Sequence, residues 1–230
     1  MQSFSFWIKS LWKKNEGFQP SKTFQIPESS EARNRIEISP FTQISDVSGN
    51  TPLLKWVKEY MTNVDTPSDI YFSISRDKLN QEVILAVDLY AFKKQTDRSM
   101  KLRLFYEMGK VPSFMSIGYK SSENHLIIYD CRAQILRRWH GSIMILQLKE
   151  LCVTLNQIID NINKKIIIDC RKKPYIRSLQ EIPKHYFKGH IKAIVGEVFP
   201  DSTRISYENL MKFYIANDAL KDGRVHIYVL

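Results

Sequence analysis

The sequence predicts an α+β fold: a mainly antiparallel sheet with three helices, preceded by a short amphipathic N-terminal segment. Three observations carry that prediction. Short runs in which apolar and polar residues alternate, each closed by a polar turn, recur through the first half of the chain. Three longer stretches place apolar residues at helical spacing. The two kinds are mixed without a repeating strand–helix–strand rhythm, which argues against a parallel α/β sheet. At 230 residues, 43% of them hydrophobic and 12% aromatic, the chain is long enough to bury a core and short enough to be one domain with appendages.

Taken in order, Phe4, Trp7, Ile8 and Leu11 fall at helical spacing with Trp12 beside them, while Lys9, Lys13 and Lys14 face no acid. The segment 1–14 therefore reads as an amphipathic basic tail suited to the interface of an acidic membrane, where indole rings rest at headgroup depth. It has neither the unbroken apolar stretch nor the small-residue cleavage site of a secretion signal. Residues 15–34 turn polar around Gly17, Pro20 and Pro27 and read as a flexible linker. The folded domain is expected over 35–230.

Within it, Thr51 and Pro52 supply an N-cap and a first-turn proline, and Leu53, Leu54, Val57, Tyr60 and Met61 form one stripe, so a helix is expected over 52–63. Strands follow over 69–76 and 82–92, the latter pairing as a hairpin with 100–106, where Leu102 and Leu104 alternate with Lys101 and Arg103. A second pair is expected over 114–119 and 125–130. Leu148, Leu151, Leu155, Ile158, Ile159 and Ile162 predict a helix from about residue 146 to 164, although 143–146 suits a strand equally well. Its polar residues, among them Lys149 and Glu150, make it too polar for a membrane span. Short strands over 166–170 and 191–199, a helix over 207–220 and a last strand over 224–229 complete the expectation, with a basic, proline-punctuated connection between 170 and 191.

Charge is the strongest functional signal. Between Cys131 and Lys192 the chain carries 13 Lys or Arg against 4 Asp or Glu, an excess of nine out of a formal +10. So concentrated a field seeks an anionic partner. The residues expected to meet a nucleic acid or a lipid headgroup are Arg137, Arg138, Lys164, Lys165, Arg171, Lys172, Lys173, Lys184, Lys188 and Lys192, interleaved with Trp139, Tyr175, Tyr186 and Phe187, whose rings would stack on bases or rest among headgroups. The competing reading is a solvated face whose aromatics point inward. Arg171, Lys172 and Lys173 also form a minimal nuclear-import run.

Other chemistry finds little footing. Cys131, Cys152 and Cys170 lack a CxxC pair, and the histidines form no spaced ligand set, so neither a metal nor another cofactor is expected and a reducing compartment fits best. No GxSxG or glycine-rich phosphate loop occurs, and no catalytic residue is assigned. A nuclease could be drawn from Glu82 and Asp88 on one strand with Lys93 beyond. Six residues of extended chain hold those two carboxylates about 20 Å apart, too far to share an ion. The expectation is a binding protein.

The layout resembles the matrix proteins of rhabdovirus-type negative-strand RNA viruses. That resemblance rests on the size, on the start Trp7, Ile8, Lys9, Ser10, Leu11, Trp12, Lys13, Lys14 followed by a linker, on a strand-to-helix entry over 35–61 containing Trp56, and on the helix–strand ending. The linker holds no PPxY or PTAP motif, so the resemblance implies no direct recruitment of host budding machinery. It implies a structural protein of the virion, peripheral on the host cell membrane and cytoplasmic, with nuclear entry as a further route. Its implied partners are acidic lipid, the viral ribonucleoprotein and further copies of itself. The alternative is an intracellular RNA-binding movement or accessory protein.

Overall fold

The computed structural model describes residues 51–63, 70–77, 79, 81–89, 92, 100–166, 175–198, 200 and 204–229. The tail over 1–14, the linker over 15–34, the strand expected over 166–170 beyond its first residue, and Arg171, Lys172 and Lys173 lie outside them. Among the described residues the expected α+β class is borne out. Helix α1 (Pro52–Thr62) is followed by strands β1 (Ile70–Arg76), β2 (Glu82–Asp88), β3 (Met100–Phe105), β4 (Ser113–Lys120) and β5 (His125–Arg132). Then come α2 (His140–Asn163), α3 (Tyr175–His185), β6 (Ala193–Gly196), α4 (Tyr207–Ala216), β7 (Leu220–Lys221) and β8 (Arg224–Tyr228). The strands form one eight-stranded sheet in the order β1-β2-β3-β4-β5-β6-β8-β7. Only the β5–β6 pair in it is parallel, because α2 and α3 carry the chain between them.

The sheet is covered on both faces at β2 and β3, which explains why six consecutive residues of β2 are buried. On one face Ile84, Ala86 and Phe105 receive Leu53, Leu54, Val57 and Met61 of α1. On the other, Val83, Leu85 and Val87 join Leu102, Leu104, Met115, Ile117, Leu126 and Ile128 beneath Leu148, Leu151 and Leu155 of α2. Thr51 caps α1 as expected, its hydroxyl accepting from Leu54 N at 3.2 Å. By length and composition α2 could cross a membrane, contrary to the expectation from its polar residues, yet its apolar stripe is spent on the sheet.

Strand β2 stops at Asp88 rather than 92, and β6 spans Ala193–Gly196 rather than 191–199. Three further differences have a local reason. Helix α2 begins at His140 and absorbs 143–146; its entry residue Trp139 is left-handed and makes no side-chain cap, so no start signal stands in the sequence. A fourth helix, α3, replaces the expected irregular connection. Pro183 lies inside it near the C-terminal end and reads as a breaker, while Leu179 and Ile182 hold the helix in the core. Helix α4 stops at Ala216 because Asp218 is left-handed, φ 50°, and the chain turns into β7.

Candidate functional site

The C-terminal end of α2 gathers lysines from four parts of the chain. Lys164 and Lys165 follow its last turn and are exposed. The segment leading into β6 is strapped to the same end: Asn156 Nδ2 donates to Ile191 O at 2.9 Å, and Ile191 N donates to Asn156 Oδ1 at 2.8 Å. His190 Nε2 lies 2.7 Å from Asp160 Oδ1. This strap carries Lys188 and Lys192, both exposed. Their backbone amides reach the β4–β5 turn, Lys188 N to Tyr119 Oη at 3.2 Å and Lys192 N to Asn124 O at 2.9 Å. That turn adds Lys120, and the last turn of α3 adds Lys184.

Among the described residues, six exposed lysines thus share one end with three carboxylates, Glu123, Asp160 and Glu181. Glu123 is held by Lys120 at 2.5 Å and by His125 at 3.2 Å, and Asp160 by His190, so two of the three acids are already engaged. The C-terminal pole of the α2 dipole makes the site comfortable for cations when empty. Sequence reasoning found five of these lysines. It missed Lys120, which lies outside the basic segment and joins only through the register of the β4–β5 turn.

Arg137 and Arg138 do not belong to this end. At 24 residues α2 is about 36 Å long, so Arg137 at its entry is far from Lys164. The expectation that Arg137 meets the same partner beside Lys164 is corrected accordingly. Arg138 is corrected as well: it is buried and ion-paired with Asp77, and its guanidinium also donates to Gln81 Oε1 at 2.6 Å. Two aromatic residues of the segment, Tyr186 and Phe187, turn inward. Phe187 is buried, and Tyr186 stacks on Phe92 with ring centroids 4.6 Å apart, so neither is presented to bases.

Around Arg138 lies a buried polar clasp that the sequence did not announce. Asp77 Oδ1 accepts from Leu79 N at 2.9 Å and Gln81 N at 3.1 Å, an Asx turn between β1 and β2. His140 Nε2 stands 3.4 Å from Asp77 Oδ2, and His140 Nδ1 stands 3.0 Å from Ser113 Oγ. Ser113 Oγ in turn accepts from Gln134 N at 3.0 Å. A neutral imidazole with its proton on Nε2 satisfies both ring nitrogens: Ser113 donates to Nδ1, and the ring donates to Asp77. Serine, histidine and aspartate stand in a line, but Ser113 is wholly buried and its oxygen already bonded, so the arrangement ties loops together and presents no nucleophile.

Burial holds His140 below the ordinary imidazole value, outweighing the Asp77 carboxylate, which acts the other way. The unfolded ring takes up its proton near pH 6.5, and the folded ring does so only at lower pH. Stability from neutral His140 is therefore present above about pH 6.5 and is lost as pH falls through the folded value. Melting temperature between pH 7 and pH 5 should drop more steeply in the wild type than in His140→Gln; equal slopes would remove His140 from the account.

Glu82 and Asp88 lie at opposite ends of β2. Asp88 is buried, Glu82 is half-buried, and Lys93 lies outside the described residues. Among the described residues no group of three or more His, Cys, Asp or Glu could hold a metal ion. Cys131 and Cys152 are free thiols, and burial pushes Cys131 up to about 12.

Fold and site together define an α+β protein with a lysine-lined end and a clasped opposite end. No family model, curated protein or solved structure matches the chain.

Proposed function

We propose that the protein is a non-enzymatic polyanion-binding structural protein of the matrix type, gripping single-stranded RNA or a ribonucleoprotein through the lysine end of α2. The observation that carries this reading is the convergence of Lys120, Lys164, Lys165, Lys184, Lys188 and Lys192 on one end, with two of the three nearby acids internally paired. Spaced ammonium groups suit phosphates, whose contacts position a nucleic acid without reading its sequence. In this role the tail over 1–14 adds contact with acidic membrane, copies associate in virion assembly, and the protein works in the cytoplasm and at the host membrane.

The test is fluorescence anisotropy on a short single-stranded RNA. Reversing Lys164, Lys165, Lys188 and Lys192 to Glu should lower affinity by at least about 100-fold at moderate salt, since phosphate contacts dominate such binding. Reversing Arg137, at the far end of α2, should leave it within about twofold. Equal losses from both variants would reject the lysine end as the site.

A further inference from the structure

The end of the molecule opposite the lysines has its own organisation. Leu79, Met108, Val111 and Leu136 are 62%, 53%, 63% and 44% exposed, among the most exposed large apolar side chains described. They come from three separate connections: the β1–β2 turn, the β3–β4 turn and the loop entering α2. Each stands two residues from a member of the buried clasp. Leu79 lies between Asp77 and Gln81, Met108 follows Tyr106, Val111 precedes Ser113, and Leu136 lies between Gln134 and Arg138. The clasp welds those connections to one another through Arg138–Asp77, Arg138–Gln81 and Ser113–Gln134, and Arg138 stands 5.8 Å over the Tyr106 ring.

We infer that these clasped loop tips form a second binding site that inserts into an acidic lipid bilayer. Exposing apolar side chains to water is unfavourable, and a rigid display of them at one pole needs a partner. The charges around them choose it. Lys110, Arg137 and Arg204 are exposed on or against these loops, Arg204 donating to Ala133 O and Gln134 O, while among the described residues Glu107 is the exposed acid beside them. Apolar tips ringed by cations match a bilayer whose surface is anionic and whose interior is apolar, and combining the two signals is what stable peripheral binding requires. A second copy of the chain fits less well, because four side chains on projecting turns fall short of the roughly 20–30 residues a side that a standard protein interface employs. The site is independent of the lysine end, from which α2 separates it by about 36 Å for its 24 residues. Together the two ends would let one molecule hold membrane at one pole and RNA at the other.

Flotation of the full chain with phosphatidylserine-containing and with pure phosphatidylcholine vesicles tests this. The wild type should float with the acidic vesicles only. Replacing Leu79, Met108, Val111 and Leu136 by Ser should lower the partition onto acidic vesicles by about tenfold or more, with melting temperature, RNA affinity and solution mass unchanged. Lys110→Glu with Arg137→Glu should weaken the preference for acidic lipid, which the basic tail over 1–14 also supports. A four-serine variant that floats like the wild type, or a wild type that does not float, overturns the inference. A fall in solution mass in the four-serine variant overturns it in favour of a second copy. A wild type that floats with acidic vesicles but does not bind RNA would instead strike only the lysine-end reading.

Discussion

Replacing Asp77 with Ala should cost about 3–5 kcal/mol, the price of stranding a buried cation. Arg138 is buried with its side chain 11% exposed, Asp77 is its ion-pair partner, and its Nε has no hydrogen-bond partner even in the intact clasp. Alanine also frees the amides of Leu79 and Gln81 and removes the acceptor facing His140. Against a typical total of about 5–15 kcal/mol, that loss leaves a marginal protein. Asp77→Asn keeps an acceptor for the turn and loses only the charge, so it should cost less. Urea unfolding of the two variants measures both; a cost below about 1 kcal/mol for Asp77→Ala would mean that Arg138 finds water and the clasp is not closed.

Leu148→Ala should cost about 2–5 kcal/mol. Leu148 is wholly buried at the centre of the stripe that α2 lays on the sheet, among the same core residues as Leu102, Leu104 and Met115. Rigid strands beneath it leave little room for the cavity to collapse, which favours the upper part of that range. Val153→Ala, on the same helix but 37% exposed, should cost well under half as much. Equal and small effects at both positions would contradict the docking of α2 on the sheet, and would reopen the membrane-spanning alternative that its length and composition permit.

Strand alternation and the Thr51–Pro52 cap were legible in the sequence because they are local, and the observed α1 and the two hairpins follow them closely. What escaped depends on distant partners. The entry of α2 has no capping side chain; its start at His140 is set by contacts with Asp77 and Ser113, 63 and 27 residues away. Helix α3 hid behind Pro183, since a proline near a helix end reads as a stop unless the burial of Leu179 and Ile182 is known. For the site, composition located the cationic segment but could not say that a 24-residue helix divides it, or that Arg138 turns inward while Lys120 joins from another strand pair. An exposed lysine and a buried, paired arginine look alike until Asp77 is placed in space.

The salt dependence of RNA binding tests the lysine end most directly, because it counts phosphate contacts rather than folding. On single strands each contact contributes a slope of about 0.7 in log affinity against log salt. Six lysines therefore predict a wild-type slope near about −4, and reversal of Lys164, Lys165, Lys188 and Lys192 should flatten it by roughly three, while reversal of Arg137 leaves it unchanged. A slope in the four-lysine variant equal to that of the wild type would contradict the account, since RNA would then be held by some other surface of the protein.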